Sequence, residues 1–130
     1  MLPLVLFPSA GATSLLWIPN VKMLSESFKI YATDNIYDFD RSRHTQVFKT
    51  SIDLIIWLDE LFNVFEFENN INLMGLSYGG WIASQNAPHS PERFHKVVLI
   101  APAATLFDLP GEWAWCGILS AIPLKIIKKK

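Results

Sequence analysis

The sequence predicts an α/β domain of about four parallel strands flanked by helices. Two observations carry that expectation. Short runs of bulky apolar residues alternate with segments of helical spacing, and the runs are continuous rather than alternating in polarity, as in strands covered on both faces. Strands that alternate with helices are joined by right-handed crossovers, which make the sheet parallel.

The elements follow in order. Pro3 to Phe7 is an apolar strand, and Pro8 to Ser14 is a loop of small residues. Asn20 to Ser27 forms a short helix, with Pro19 and Asn20 as start signals and Val21, Leu24 and Phe28 at helical spacing. Phe28 to Thr33 is the second strand, ending at Asp34, and Asp38 to His44 is a polar connection. From Thr45 to Phe65 the positions Phe48, Ile52, Ile55, Leu58, Leu61, Phe62 and Phe65 recur every three or four residues, which predicts a long amphipathic helix. Glu66 to Asn70 is its acidic exit. Ile71 to Met74 is the third strand, Trp81 to Ala87 a helix, Pro88 to Arg93 a proline-bounded turn, and Phe94 to Ala101 the fourth strand.

Composition narrows the function classes. The chain has 130 residues, 51% of them hydrophobic and 18% charged, so it is globular rather than disordered. A net charge of -1 without a basic stripe argues against nucleic acid as a partner. The single cysteine, Cys116, permits no internal disulfide and no cysteine cluster for zinc; its simplest role is a small buried hydrophobe. No cofactor or metal is expected. Met1 to Phe7 is apolar but lacks the positive flank of a secretion signal, and Trp113 to Leu124 is shorter than the roughly twenty residues of a membrane span. The expected location is cytoplasmic.

The stretch Asn72-Leu73-Met74-Gly75-Leu76-Ser77-Tyr78-Gly79-Gly80 names a chemistry. An apolar strand runs into G-x-S-x-G and then into a helix, the setting in which a serine on a sharp turn lifts its hydroxyl clear of the sheet. Small residues two before and two after it are a steric requirement, which Gly75 and Gly79 meet.

On these residues the chain resembles the α/β-hydrolase family, and within it the carboxylesterase-like serine hydrolases. The resemblance covers roughly residues 2 to 105. It implies that Ser77 is the nucleophile and that the backbone N–H of Tyr78 supplies half of an oxyanion hole. Leu4 to Gly11 stands where the family carries a strand and a His-Gly-x loop that supplies the other half. Here Phe7-Pro8 replaces His-Gly, which makes Ser9 the candidate for the second donor, since Pro8 has no N–H. The other reading of Ser9 to Gly11 is a flexible turn. Tyr31 to Asp34 looks like the family's second motif, with Asp34 as a structural acid that orders the following loop.

A serine needs a histidine to take its proton and a carboxylate to orient that histidine. His44 precedes the serine; His89 and His95 belong to the sheet end opposite it, so all three read as surface or packing residues. Asp108 follows the fourth strand at the correct end, but it reads better as the start of a lid than as a catalytic acid. The resemblance therefore implies a partial α/β-hydrolase core over residues 1–104 and the beginning of a lid over 105–130, an N-terminal to central piece truncated before the triad acid and histidine.

The implied function is ester hydrolysis through a Ser77 acyl-enzyme, on a small-molecule ester with an apolar group, with the isolated chain expected to be inactive alone. Two alternatives stay open. One is a non-catalytic remnant or interaction module that pairs through its open sheet edges. The other is a fragment complemented by a second chain that carries the missing acid and histidine.

Overall fold

The computed structural model describes residues 1–35 and 50–104. Four strands, β1 (Pro3–Phe7), β2 (Lys29–Ala32), β3 (Ile71–Leu76) and β4 (Phe94–Ile100), form one sheet in the order β2-β1-β3-β4. Every neighbouring pair is parallel. Helix α1 (Ile18–Leu24) follows β1, α2 (Ser51–Val64) precedes β3, and α3 (Tyr78–Asn86) joins β3 to β4.

The pleat of β1 explains its unbroken apolar run. Successive side chains of a strand point to opposite faces. Leu4 and Leu6 pack with Trp17, Val21, Leu24 and Phe28 on one face. Val5 and Phe7 pack with Leu54, Leu58 and Phe62 of α2 and Ile82 and Ala83 of α3 on the other. A strand sandwiched in this way has no position for a polar side chain.

Three helix starts differ from those expected. Ser14–Trp17, expected to lie in or after a loop, forms a 3₁₀ turn, and α1 starts at Ile18, which puts Pro19 in its first turn where a missing N–H costs nothing. Helix α2 begins at Ser51 behind a capping box. Thr50 Oγ1 accepts from Asp53 N, and the Asp53 carboxylate accepts from Thr50 N at 2.9 Å. Residues 45–49 of the expected helix lie outside the described residues. The buried stripe of α2 is Leu54, Ile55, Leu58 and Phe62, whereas Ile52, expected on that stripe, is 60% exposed. Finally, α3 begins at Tyr78, directly after Ser77.

Arg93, at the entrance to β4, fastens α2 to the sheet. Its guanidinium lies 2.8 Å from Asp59 Oδ1, donates to Phe67 O at 2.9 Å and sits 5.4 Å from the Phe62 ring centre. Arg93→Ala is expected to lower unfolding free energy by about 1–3 kcal/mol, because it leaves a half-buried carbonyl and carboxylate with one partner fewer. Urea denaturation measures this; an unchanged midpoint would remove Arg93 from the fastening.

On β4, Val98, Leu99 and Ile100 are each about 40% exposed. Among the described residues no strand pairs with the outer edge of β4 or of β2. No helix of the described residues is long and apolar enough to cross a membrane.

Candidate active site

The strand order fixes where a ligand can sit. From β1 the chain moves to β2 on one side, then crosses β1 to reach β3 on the other. The loops leaving β1 and β3 therefore diverge, and such a switch point opens a crevice at the carboxyl ends of the strands. Register aligns Phe7 with Gly75, so Ser9 and Ser77 leave their strands at the same end of the sheet. Leu76 is aligned with Ile100, which brings the exit of β4 to the same place.

Ser77 is the single residue between β3 and α3, with φ 53° and ψ -111°. A side-chain-bearing residue adopts that combination only when its surroundings over-determine it. Here Ser77 N donates to Ile100 O at 2.9 Å, while Ser77 O accepts from Trp81 N at 3.0 Å and Ala103 N at 3.1 Å. Strand, helix and the turn after β4 thus each hold one side of the serine's backbone.

The flanking glycines are required by close approach. A Cβ on Gly75 would collide with the backbone carbonyl of Gly79, and a Cβ on Gly79 with the carbonyls of Phe7 and Pro8. The second contact presses the start of α3 against the exit of β1. The N–H groups of the first helical turn, Tyr78 among them, lie at the positive end of the helix beside the loop that holds Ser9. The Tyr78 ring stacks on Trp81 with centroids 5.5 Å apart.

The loop after β1 is held from β2. Thr33 Oγ1 donates to Leu6 O at 3.1 Å, and Asp34 Oδ1 accepts from Ser14 N at 2.6 Å. Asn35, 2% exposed, donates from Nδ2 to Pro8 O and Ser9 O. Ser9 O also accepts from Ala12 N at 3.2 Å. Asp34 therefore acts on the loop before it in space as a structural acid; residues 36–49, the loop it was expected to order, lie outside the described residues. Asn35 was not singled out from the sequence. The available signal was a Thr-Asp-Asn run at a strand end, a set of short side chains suited to bonding nearby backbone.

The two described histidines lie far from Ser77. His95 Nδ1 is 3.3 Å from Asn72 Oδ1, and Asn72 Nδ2 donates to Pro3 O, so both belong to the opposite end of the sheet. Ser77 is five residues beyond Asn72, roughly 16 Å at the rise of a strand. His89 lies past the far end of the nine-residue α3, about 13 Å of helix from its start. Both are exposed. His44, Asp108, Cys116 and the rest of the expected lid over 105–130 lie outside the described residues. Among the described residues no three His, Cys, Asp or Glu side chains cluster as a metal would need.

No protein-family model matches the chain. Individual relatives do. It is 33% identical over 103 residues to the uncharacterized carboxylesterase nap of Bacillus subtilis, a match that takes in 79% of this chain and 34% of the relative. It is 32% identical over 100 residues to carboxylesterase YbfK of the same organism, taking in 77% of this chain and 33% of the relative. The crystal structure of naproxen esterase (carboxylesterase NP) from B. subtilis superposes with a TM-score of 0.85 at 28% identity, over 90% of this chain and 41% of that one. The chain spans about a third of the length of the curated relatives it matches.

Sheet order, crossover helices and these matches place the chain in the α/β-hydrolase family. Two of the curated relatives it matches are named as carboxylesterases.

Proposed function

We propose that Ser77 is the nucleophile of an ester-hydrolysing site. The observation that carries this is the Ser77 backbone, φ 53° and ψ -111°, held between β3 and α3 at the switch point of the sheet. In this reading Ser77 Oγ attacks the ester carbonyl carbon, and the N–H groups of Tyr78 and Ser9 hold the oxygen as it becomes negative. The tetrahedral species collapses, the alcohol leaves, and water then releases the acid from the acyl-enzyme. The serine proton passes to a base that is not among the described residues, which returns it to the departing alcohol and then takes one from the attacking water. Exposed Leu15 and Leu16, on the 3₁₀ turn after the Ser9 loop, favour an ester with an apolar group. No cofactor takes part.

The test is fluorophosphonate labelling and hydrolysis of a short-chain chromogenic ester by the 130-residue chain and by Ser77→Ala. Labelling is expected to be slow in the parent and lost in Ser77→Ala. Hydrolysis is expected to fall several orders of magnitude short of a complete triad, because preorganised donors without a base give about 10³–10⁴-fold over water. Equal labelling of parent and variant would remove Ser77 from the chemistry. Rapid Ser77-dependent turnover would overturn the expectation of hydrolysis without a base and turn attention to His44 and Asp108.

A further inference from the structure

Asn35 stands twenty-six residues from Ser9 in sequence, yet its amide grips both peptides that flank that residue. Nδ2 donates to Pro8 O at 3.3 Å and to Ser9 O at 3.2 Å. Both acceptors are carbonyls, so the amide orientation follows from chemistry: only the NH₂ group can serve them. The residue is 2% exposed and its bond to Pro8 O is buried, so water offers that carbonyl little competition.

One consequence is geometric. Pro8 C=O and Ser9 N–H belong to the same planar trans peptide, in which oxygen and hydrogen point in opposite directions. Drawing Pro8 O toward the buried amide turns the Ser9 N–H away from it. The second bond, to Ser9 O, fixes the next peptide and blocks the compensating rotation. Gly79, packed on the Phe7 and Pro8 carbonyls, limits movement of the same peptide from the α3 side.

We infer that Asn35 is a positioning residue: its amide sets the two peptides around Ser9 and thereby the direction in which the Ser9 N–H is offered to an oxyanion. This rests on the reading of Ser77 and Ser9 above.

The test uses the full chain with Asn35→Asp, which keeps shape and volume but removes both donors when ionised. Asn35→Ser, which keeps one donor, serves as a second variant. Two quantities are measured: the rate of Ser77 labelling by a fluorophosphonate, and amide hydrogen exchange by NMR at Ala12, whose N–H bonds to Ser9 O, and at Val5 and Leu73 in the core. At about pH 8, Asn35→Asp is expected to slow labelling by about tenfold or more relative to the parent, as misplacing one oxyanion donor should. Ala12 should exchange faster while Val5 and Leu73 keep their protection.

At about pH 5 the buried carboxyl, whose pKa is raised by desolvation and two facing carbonyl oxygens, regains a proton and one donor. The deficit relative to parent should then shrink severalfold. Asn35→Ser should fall between parent and Asn35→Asp at about pH 8. A residue that only fills space would loosen Val5 and Leu73 along with the loop, whereas a positioning residue changes labelling while those core amides keep their protection. Unchanged Ala12 exchange, or opened loop amides with labelling at the parent rate, would overturn the inference. Absence of Ser77-dependent labelling in the parent counts against the Ser77 reading instead, and Ala12 exchange still decides whether Asn35 holds the loop.

Discussion

Gly75→Ala is expected to destabilise the chain by about 3 kcal/mol or more, near the upper end of overpacking costs, because the added methyl meets backbone rather than a movable side chain. Its Cβ would collide with Gly79 O and crowd Gly80 N at 2.5 Å, and these atoms belong to the first turn of α3. That turn cannot retreat: Gly79 is already against the carbonyls of Phe7 and Pro8, and Gly80 has Pro102 on its other side. Relief would require α3 to leave the sheet, which would also release Ile82 and Ala83 from the core. For a domain of this size the loss corresponds to a Tm lower by roughly 10 °C.

Gly11→Ala is the matched control, since Gly11 has φ 71° but nothing within 4 Å of a Cβ. It should cost only about 1 kcal/mol, the penalty of the backbone conformation alone. Calorimetric Tm values for the two variants separate collision from backbone strain; similar values would show that close approach at Gly75 is not what the fold depends on.

Phe62→Ala should cost about 3–5 kcal/mol, the range for emptying a large aromatic site in a core. Phe62 has no exposed surface and is the meeting point of α2 with the sheet. Its ring lies 6.0 Å from that of Phe94, edge-on, and 6.2 Å from that of Phe67, with the Arg93 guanidinium over its face. Truncation opens a cavity between elements far apart in sequence, which the backbone cannot close without moving α2. Ile52→Ala, on the same helix but 60% exposed, should stay within about 0.5 kcal/mol of the parent. Denaturant midpoints for the pair test the buried stripe directly: comparable losses would mean that α2 presents a different face to the sheet.

Ile52 and Leu54 also show where helical periodicity stops being informative. Spacing of apolar residues marks a helix and the width of its stripe, but α2 carries apolar residues on more than one face. Which of them is covered depends on the docking angle against β1 and β3. The 3₁₀ turn at Ser14–Trp17 was missed for a related reason: its residues carry no periodic signal, and Trp17 is held there by Leu4 and Leu6 across the sheet face.

The sequence by itself determined the alternation of strand and helix, because unbroken apolar runs such as Leu4 to Phe7 can only be covered on both faces. It also determined the residue types around Ser77, because a strand that turns at once into a helix leaves no room for side chains at Gly75 and Gly79. The tertiary structure alone decided which distant side chains hold that turn and the neighbouring loop in place. Asn35 reaches Pro8 and Ser9, Asp34 reaches Ser14, and Arg93 reaches Asp59 and Phe67. Those hydrogen bonds span twenty residues or more, so they exist only once strand order and register have brought their partners together, and no local pattern records them.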